Sequence, residues 1–347
     1  MKAIHNVRGS SEKLEKNAPF PSIAVGRVEA LLSLCPHAAE TPLVDVKSLA
    51  PVSQFWVKDE RSRMNLGSFK ALGAAYVIAR HASELNSTPD KTTLEGRTYV
   101  TASAGNHGMS VAAGARVFGA QAVVYVAETV PEGFDTRLTS QGAEVRREGA
   151  DYAASMAAAQ KAAEDNDWIL LSDSSWEGYC DLPHTLMEGY LQMAAEAVRH
   201  IPTVPTHILL QAGVGGLAGA VAAYARECWG DAPKIIVVEP ENAAALQESI
   251  IAGKSTIAAG DDSIMGRLDC KEPSHIALNG LARDADVFLT VSDDMVVEQL
   301  PSLASAGLET SASGGAGVAA VLNADARQLL GIDDQSVVLA FLSEGPE

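Results

Sequence analysis

Three short segments carry residues whose types and spacing could do chemistry. The first is the glycine-rich turn Gly213-Val214-Gly215-Gly216-Leu217, directly after the aliphatic run 208–211. Glycine lets the backbone approach an anion and adopt positive φ, and a following helix points its free N–H groups and its dipole at the charge. A phosphate cradle is the reading this supports, set against a tight strand-to-helix turn that binds nothing. The spacing Gly213-x-Gly215-x-x-Ala218 also satisfies a relaxed dinucleotide fingerprint. Glu239, ending the next aliphatic run, stands where a ribose-binding acid belongs, about 20 residues on. A nicotinamide or flavin enzyme is therefore a competing reading.

The second segment is Ser103-Ala104-Gly105-Asn106-His107-Gly108, again between a strand pattern and a helix pattern. Small residues leave several backbone N–H groups open, which suits a carboxylate. Asn106 adds an amide that can donate to a phenolate-type oxygen. His107 could act as a base, but its cationic form is disfavoured at a helix N-terminus, so a structural hydrogen-bonding role is expected. The third segment is Asn65-Leu66-Gly67-Ser68-Phe69-Lys70. A lone lysine usually lies on a solvated face. Lys70 instead opens the apolar stretch 71–79, where burial would depress its pKa and suit it to Schiff-base chemistry.

The elements that must position these segments alternate. Strand patterns at 99–103, 122–126, 168–171, 208–211, 234–239, 287–291 and 336–342 are interleaved with helical ones, as near 107–118 and 134–141. Such alternation predicts an α/β protein with parallel sheets covered on both faces. Pro202 and Pro205 mark a change of lobe, and the acidic stretch 260–272 reads as a long loop.

Composition excludes several classes. At 347 residues, 47% hydrophobic and 20% charged, the chain can bury two cores and is neither disordered nor collagen-like. Twenty-six basic against 44 acidic residues give a net charge of −18, a field that repels nucleic acid and anionic membranes. The cysteines Cys35, Cys180, Cys228 and Cys270 form no CxxC pair, so neither a metal site nor a disulfide framework is expected. No signal peptide is visible, and the uncharged stretch 208–225 is broken by Gln211 and glycines. A cytoplasmic protein is expected.

Taken in order, the three segments resemble the markers of fold-type II pyridoxal-phosphate enzymes, the group of tryptophan synthase β and threonine dehydratase. The closer resemblance is to diaminopropionate ammonia-lyases. It is carried by Trp56-Val57-Lys58-Asp59-Glu60, Gly105-Asn106-His107-Gly108, Asp173-Ser174-Ser175-Trp176-Glu177-Gly178-Tyr179, Gln211-Ala212-Gly213-Val214-Gly215, Val238-Glu239-Pro240 and Ser343-Glu344-Gly345. It decides against the dinucleotide enzyme, which has no use for Lys70 or the Asn106 segment. The resemblance implies two lobes, each a mostly parallel twisted sheet with helices on both faces. Residues 1–74 and 191–347 would form the large cofactor-binding domain and 75–190 the small one.

By the same resemblance, Lys70 would hold pyridoxal phosphate as an internal aldimine. The amides of Gly213, Val214, Gly215, Gly216 and Leu217 would hold its phosphate, Asn106 its ring hydroxyl oxygen, and Ser343 its pyridine nitrogen. A hydroxyl there does not enforce ring protonation, which favours fast loss of a β-substituent over a long-lived carbanion. Ser103, Ala104, Gly105, Asn106 and His107 would seat the substrate carboxylate. Lys70 would remove the α-proton, and Asp173 would handle protons at the leaving group or, alternatively, cap the turn before Trp176. The product would be a 2-oxo acid with ammonia, and serine/threonine or 3-hydroxyaspartate dehydration is the alternative. Relatives that use both enantiomers carry an aspartate where this chain has Ala104, so action on one configuration, L, is implied. They also carry an acid at the Ala312 position. A homodimer is implied as well.

Overall fold

Runs of valine, isoleucine and leucine form the central strands because both faces of those strands are buried. The computed structural model describes residues 1–8, 12–35 and 37–346. Its strands are β1 (Lys2–His5), β2 (Leu43–Asp45), β3 (Gln54–Asp59), β4 (Thr98–Ala102), β5 (Gln121–Val126), β6 (Ala143–Arg147), β7 (Ile169–Leu170), β8 (His207–Gln211), β9 (Lys234–Pro240), β10 (Val287–Val291) and β11 (Val337–Leu342). They make a seven-stranded sheet in the order β1-β10-β9-β8-β11-β3-β2 and a four-stranded sheet in the order β6-β5-β4-β7. The smaller sheet is all parallel. The larger is parallel except at its two edges, where β1 and β2 run antiparallel to their neighbours.

Alternate residues of one strand face opposite sides of a sheet. Accordingly Ile208, Ile235, Val237 and Phe341 pack into one core, and Leu209, Ile236, Val238 and Leu342 into the other. Helices cover both faces, as the sequence predicts. Four strands escape that prediction: β1, β2 and β6 are edge strands with exposed or charged residues, and β3 ends in Lys58-Asp59. The predicted long loop is present, and residues 254–274 contain no helix or strand. Among the described residues no helix is long and apolar enough to cross a membrane.

Parallel sheets present their ligand sites beyond the carboxyl ends of the strands. Here β4 leads into Ser103, β7 into Asp173, β8 into Gly213 and β11 into Ser343. The end of β3 feeds a loop fixed by a buried charge network. Lys58 Nζ donates to Glu196 Oε2 at 2.6 Å, and Arg63 Nη1 to Glu196 Oε1 at 2.9 Å. Arg63 Nε donates to Glu60 Oε2 at 2.7 Å, and none of the four side chains is exposed. Burial alone would raise the Glu196 carboxyl, but Arg63 and Lys58 hold it down at about 2. Removing one partner from such a network strands a buried charge, so the network locks the chain just before Met64 and Asn65. Both take left-handed φ, 49° and 58°, a strained conformation that persists where its surroundings over-determine it.

Candidate active site

Lys70 is the first residue of the helix Lys70–Leu85. Its loop is pinned to the end of the chain: Phe69 N donates to Ser343 O at 3.0 Å, and Gly345 N to Gly67 O at 3.0 Å. On the other side, Ser110 Oγ donates to Lys70 O at 2.9 Å, which ties in the helix Asn106–Val117. The Lys70 ammonium donates to the Asp173 carboxylate, both side chains largely enclosed. This corrects the expectation of a depressed lysine. Burial alone would lower the amine, but the charge of Asp173 outweighs it and carries the pKa above its ordinary value. Conversely, burial would raise Asp173, and the charge of Lys70 holds it well below the carboxylate range. Both groups are charged together, an acid and a base one proton apart.

Asp173 does not cap the turn that follows it, because its side chain is turned to Lys70. That turn is held by others. Tyr179 Oη donates to Leu170 O at 2.8 Å, and Ser175 Oγ meets Ser274 Oγ at 2.7 Å. Ser274 N in turn donates to Val214 O at 2.9 Å, so the acid segment and the glycine turn are laced together.

The glycine turn opens the helix Gly216–Trp229, whose start has no side-chain cap. Gly215 sits at φ +96°, a conformation glycine adopts without strain. A Cβ on Gly213 would lie 2.9 Å from Cys270 Sγ and 3.1 Å from Leu268 Cα. The turn therefore presents bare backbone N–H groups at a helix N-terminus, an anion site by construction. Glu239 does not serve it. Its carboxylate is fully buried and accepts from Leu246 N at 2.8 Å and Gln247 N at 2.9 Å, which caps another helix and removes the ribose-binding reading.

At the 103–107 segment, His107 Nε2 donates to Leu171 O at 2.8 Å. Burial lowers its pKa, so the ring is neutral and structural, as the sequence predicts. Asn106 Nδ2 donates to Glu344 Oε2 at 2.5 Å. Glu344 also accepts from Ser311 Oγ and pairs with Arg267 Nη1 at 3.2 Å. Ala312 follows Ser311 at the start of the helix Ala312–Leu322, so this departure from the resembled pattern lies beside Glu344. Sequence reasoning missed Glu344 and Arg267 as site residues. Arg267 comes from the long loop, and a Cβ on Gly105 would lie 3.7 Å from its Nε. Ser343 is buried, and its amide donates to Gly314 O at 3.2 Å. Tyr190, also missed, is buried with a hydroxyl that has no hydrogen-bond partner among them.

An enclosed lysine–carboxylate pair beside a glycine turn with free backbone amides at a helix N-terminus supplies parts that an enzyme working through a phosphorylated carbonyl cofactor uses. The family model of pyridoxal-phosphate dependent enzymes matches residues 34–344, and the chain belongs to that family. The chain is 31% identical over 306 residues to the diaminopropionate ammonia-lyase of Salmonella typhimurium, an alignment covering 80% of this chain and 73% of that one. The diaminopropionate ammonia-lyase of Escherichia coli, solved with an aminoacrylate–cofactor reaction intermediate, superposes with a TM-score of 0.87 at 27% identity. That match covers 99% of this chain and 93% of the other. Threonine deaminase isoform 2 of Solanum lycopersicum shares the fold, with a TM-score of 0.80 at 20% identity and coverage of 99% and 88%. The residues present fit pyridoxal phosphate. A lysine amine, a cradle that a Cβ at Gly213 would fill and an orphaned buried hydroxyl on Tyr190 stand together. The chain is thus a pyridoxal-phosphate-dependent carbon–nitrogen lyase.

Proposed function

We propose that the enzyme is an ammonia-lyase that eliminates the β-substituent of an L-α-amino acid, with 2,3-diaminopropionate first among substrates, releasing a 2-oxo acid and ammonia. The observation that carries this is the enclosed pair of Lys70 and Asp173 between two helix N-termini. Bound pyridoxal phosphate supplies the electron sink that acidifies the α-proton and lets the β-group depart. The amides of residues 213–217 would hold its phosphate, Lys70 its carbonyl carbon, Asn106 its ring hydroxyl oxygen and the Ser343 hydroxyl its pyridine nitrogen. The amides of residues 104–107 and the Ser103 hydroxyl would hold the substrate carboxylate, the Ser103 amide being taken by Tyr125 O at 3.1 Å, and so orient the α-proton toward Lys70. The Lys70 amine, in its neutral form, would take that proton. Asp173, ionised beside Lys70, would relay to the leaving group the proton that Lys70 has taken up, and is left a carboxylate again. Ala104 offers no base on the opposite face, so D-isomers are not turned over at a comparable rate.

The two lobes in this reading are residues 1–74 with 191–347, and residues 75–190. The enzyme works as a homodimer in the cytoplasm, and sedimentation of the purified protein checks the first point. A second reading, dehydration of 3-hydroxyaspartate, is favoured by Arg267, whose guanidinium stands beside Gly105 where a second carboxylate could reach it.

A panel of β-substituted amino acids separates the readings. Diaminopropionate gives two ammonia per 2-oxo acid and a hydroxyl substrate one. The first reading predicts the highest kcat/KM for L-diaminopropionate, and a clear preference for 3-hydroxyaspartate overturns it. Turnover of the D-isomer at a comparable rate contradicts the single-base assignment.

A further inference from the structure

We propose that the Tyr190 hydroxyl is a hydrogen-bond donor to the phosphate group of the cofactor. The inference rests on the assignment of residues 213–217 as the phosphate cradle. Tyr190 links the helices Asp181–Gly189 and Leu191–His200, and it is 1% exposed. Its ring is wedged among three features of the site. The Phe69 ring, one residue before Lys70, lies 4.9 Å away between centroids. A Cβ on Gly73, one turn beyond Lys70, would come within 2.7 Å of its Cε1, and one on Gly216 would come within 3.4 Å of its Cε2. Those two carbons flank the hydroxyl end, so that end points into the space between the lysine helix and the start of the helix after the glycine turn.

Burial and the charge of Asp173 raise the phenol, while Lys70 pulls it down; the net direction is up, so the group is neutral and can donate. A buried hydroxyl without a partner costs stability, and here it makes no bond among the described residues. In pyridoxal phosphate the carbonyl carbon and the phosphate arm hang from neighbouring ring atoms. A donor that borders both Lys70 and Gly216 therefore meets the phosphate.

The test is Tyr190→Phe in the full-length chain, stripped of cofactor and retitrated with pyridoxal phosphate and with unphosphorylated pyridoxal. A hydrogen bond to a charged group makes a difference of about 10- to 100-fold in affinity. The variant is expected to lose that much for pyridoxal phosphate and nothing for pyridoxal. Its cofactor-free thermal midpoint should stay level or rise, because an unpaired buried hydroxyl is gone. Unchanged pyridoxal phosphate affinity overturns the proposal, as does an equal loss for both ligands or a fall in cofactor-free stability that accounts for the loss. A wild-type protein that binds no pyridoxal phosphate sinks the functional assignment itself, a separate result.

Discussion

The turn 213–217 and the turn 103–107 both follow parallel strands, and both begin helices without a side-chain cap. They differ in what surrounds those groups. The first is bare backbone, closed against Cys270, Leu268 and Leu246, with Gly215 in a left-handed conformation. The second carries polar side chains, and Ser103, Ala104 and Gly105 are partly open. A closed cradle with no polar side chains suits a phosphate that stays. An open one bordered by Asn106, Glu344 and Arg267 suits a carboxylate that comes and goes. The same helix-terminus physics thus yields a retained ligand in one place and an exchanging one in the other.

Like-for-like substitutions can break this contrast. Gly213→Ala puts a methyl 2.9 Å from Cys270 Sγ and 3.1 Å from Arg267 O, so backbone must shift. Overpacking of this kind costs about 1–3 kcal/mol, and cofactor affinity should fall roughly 10- to 100-fold, read by absorbance titration. Gly105→Ala meets only Arg267 Nε at an ordinary 3.7 Å. Its cofactor affinity should hold within about twofold, since surface-like changes of this sort stay within roughly 0.5 kcal/mol, while KM for the amino acid rises. Equal effects of the two on cofactor retention would erase the distinction. The smallest effect concerns His107. Its pKa lies below the ordinary value in the folded protein, so below about pH 6.5 the unfolded chain binds a proton that the folded one refuses. Stability therefore falls as pH drops through that point, and His107→Gln should flatten this part of the stability–pH curve. An unchanged slope in the variant contradicts the buried neutral ring.

Much of this was legible because the chemistry is local. The aliphatic runs of β4, β5 and β8 to β11 betray strands buried on both faces, and the glycine and Asn106 segments sit immediately after two of them. What stayed hidden is long-range. Lys58 and Arg63 look like surface charges in the sequence, yet they close on Glu196 more than 130 residues away. Glu344 reaches Asn106 across 238 residues, and Arg267 arrives from an irregular loop that no periodicity marks. Tyr190 lies in an ordinary amphipathic helical stretch, where an aromatic reads as core. The direction of the Lys70 shift was misjudged for the same reason. Burial is readable from flanking apolar residues, whereas the opposing charge of Asp173 stands 103 positions on.

The account turns on Lys70 as the attachment point of the cofactor. Borohydride reduction of the purified yellow protein, followed by protease digestion and mass spectrometry, reads that point directly. The cofactor mass should be found on Lys70 alone, and Lys70→Ala should lose both the label and turnover. A label on any other lysine, or full activity in Lys70→Ala, would contradict the assignment.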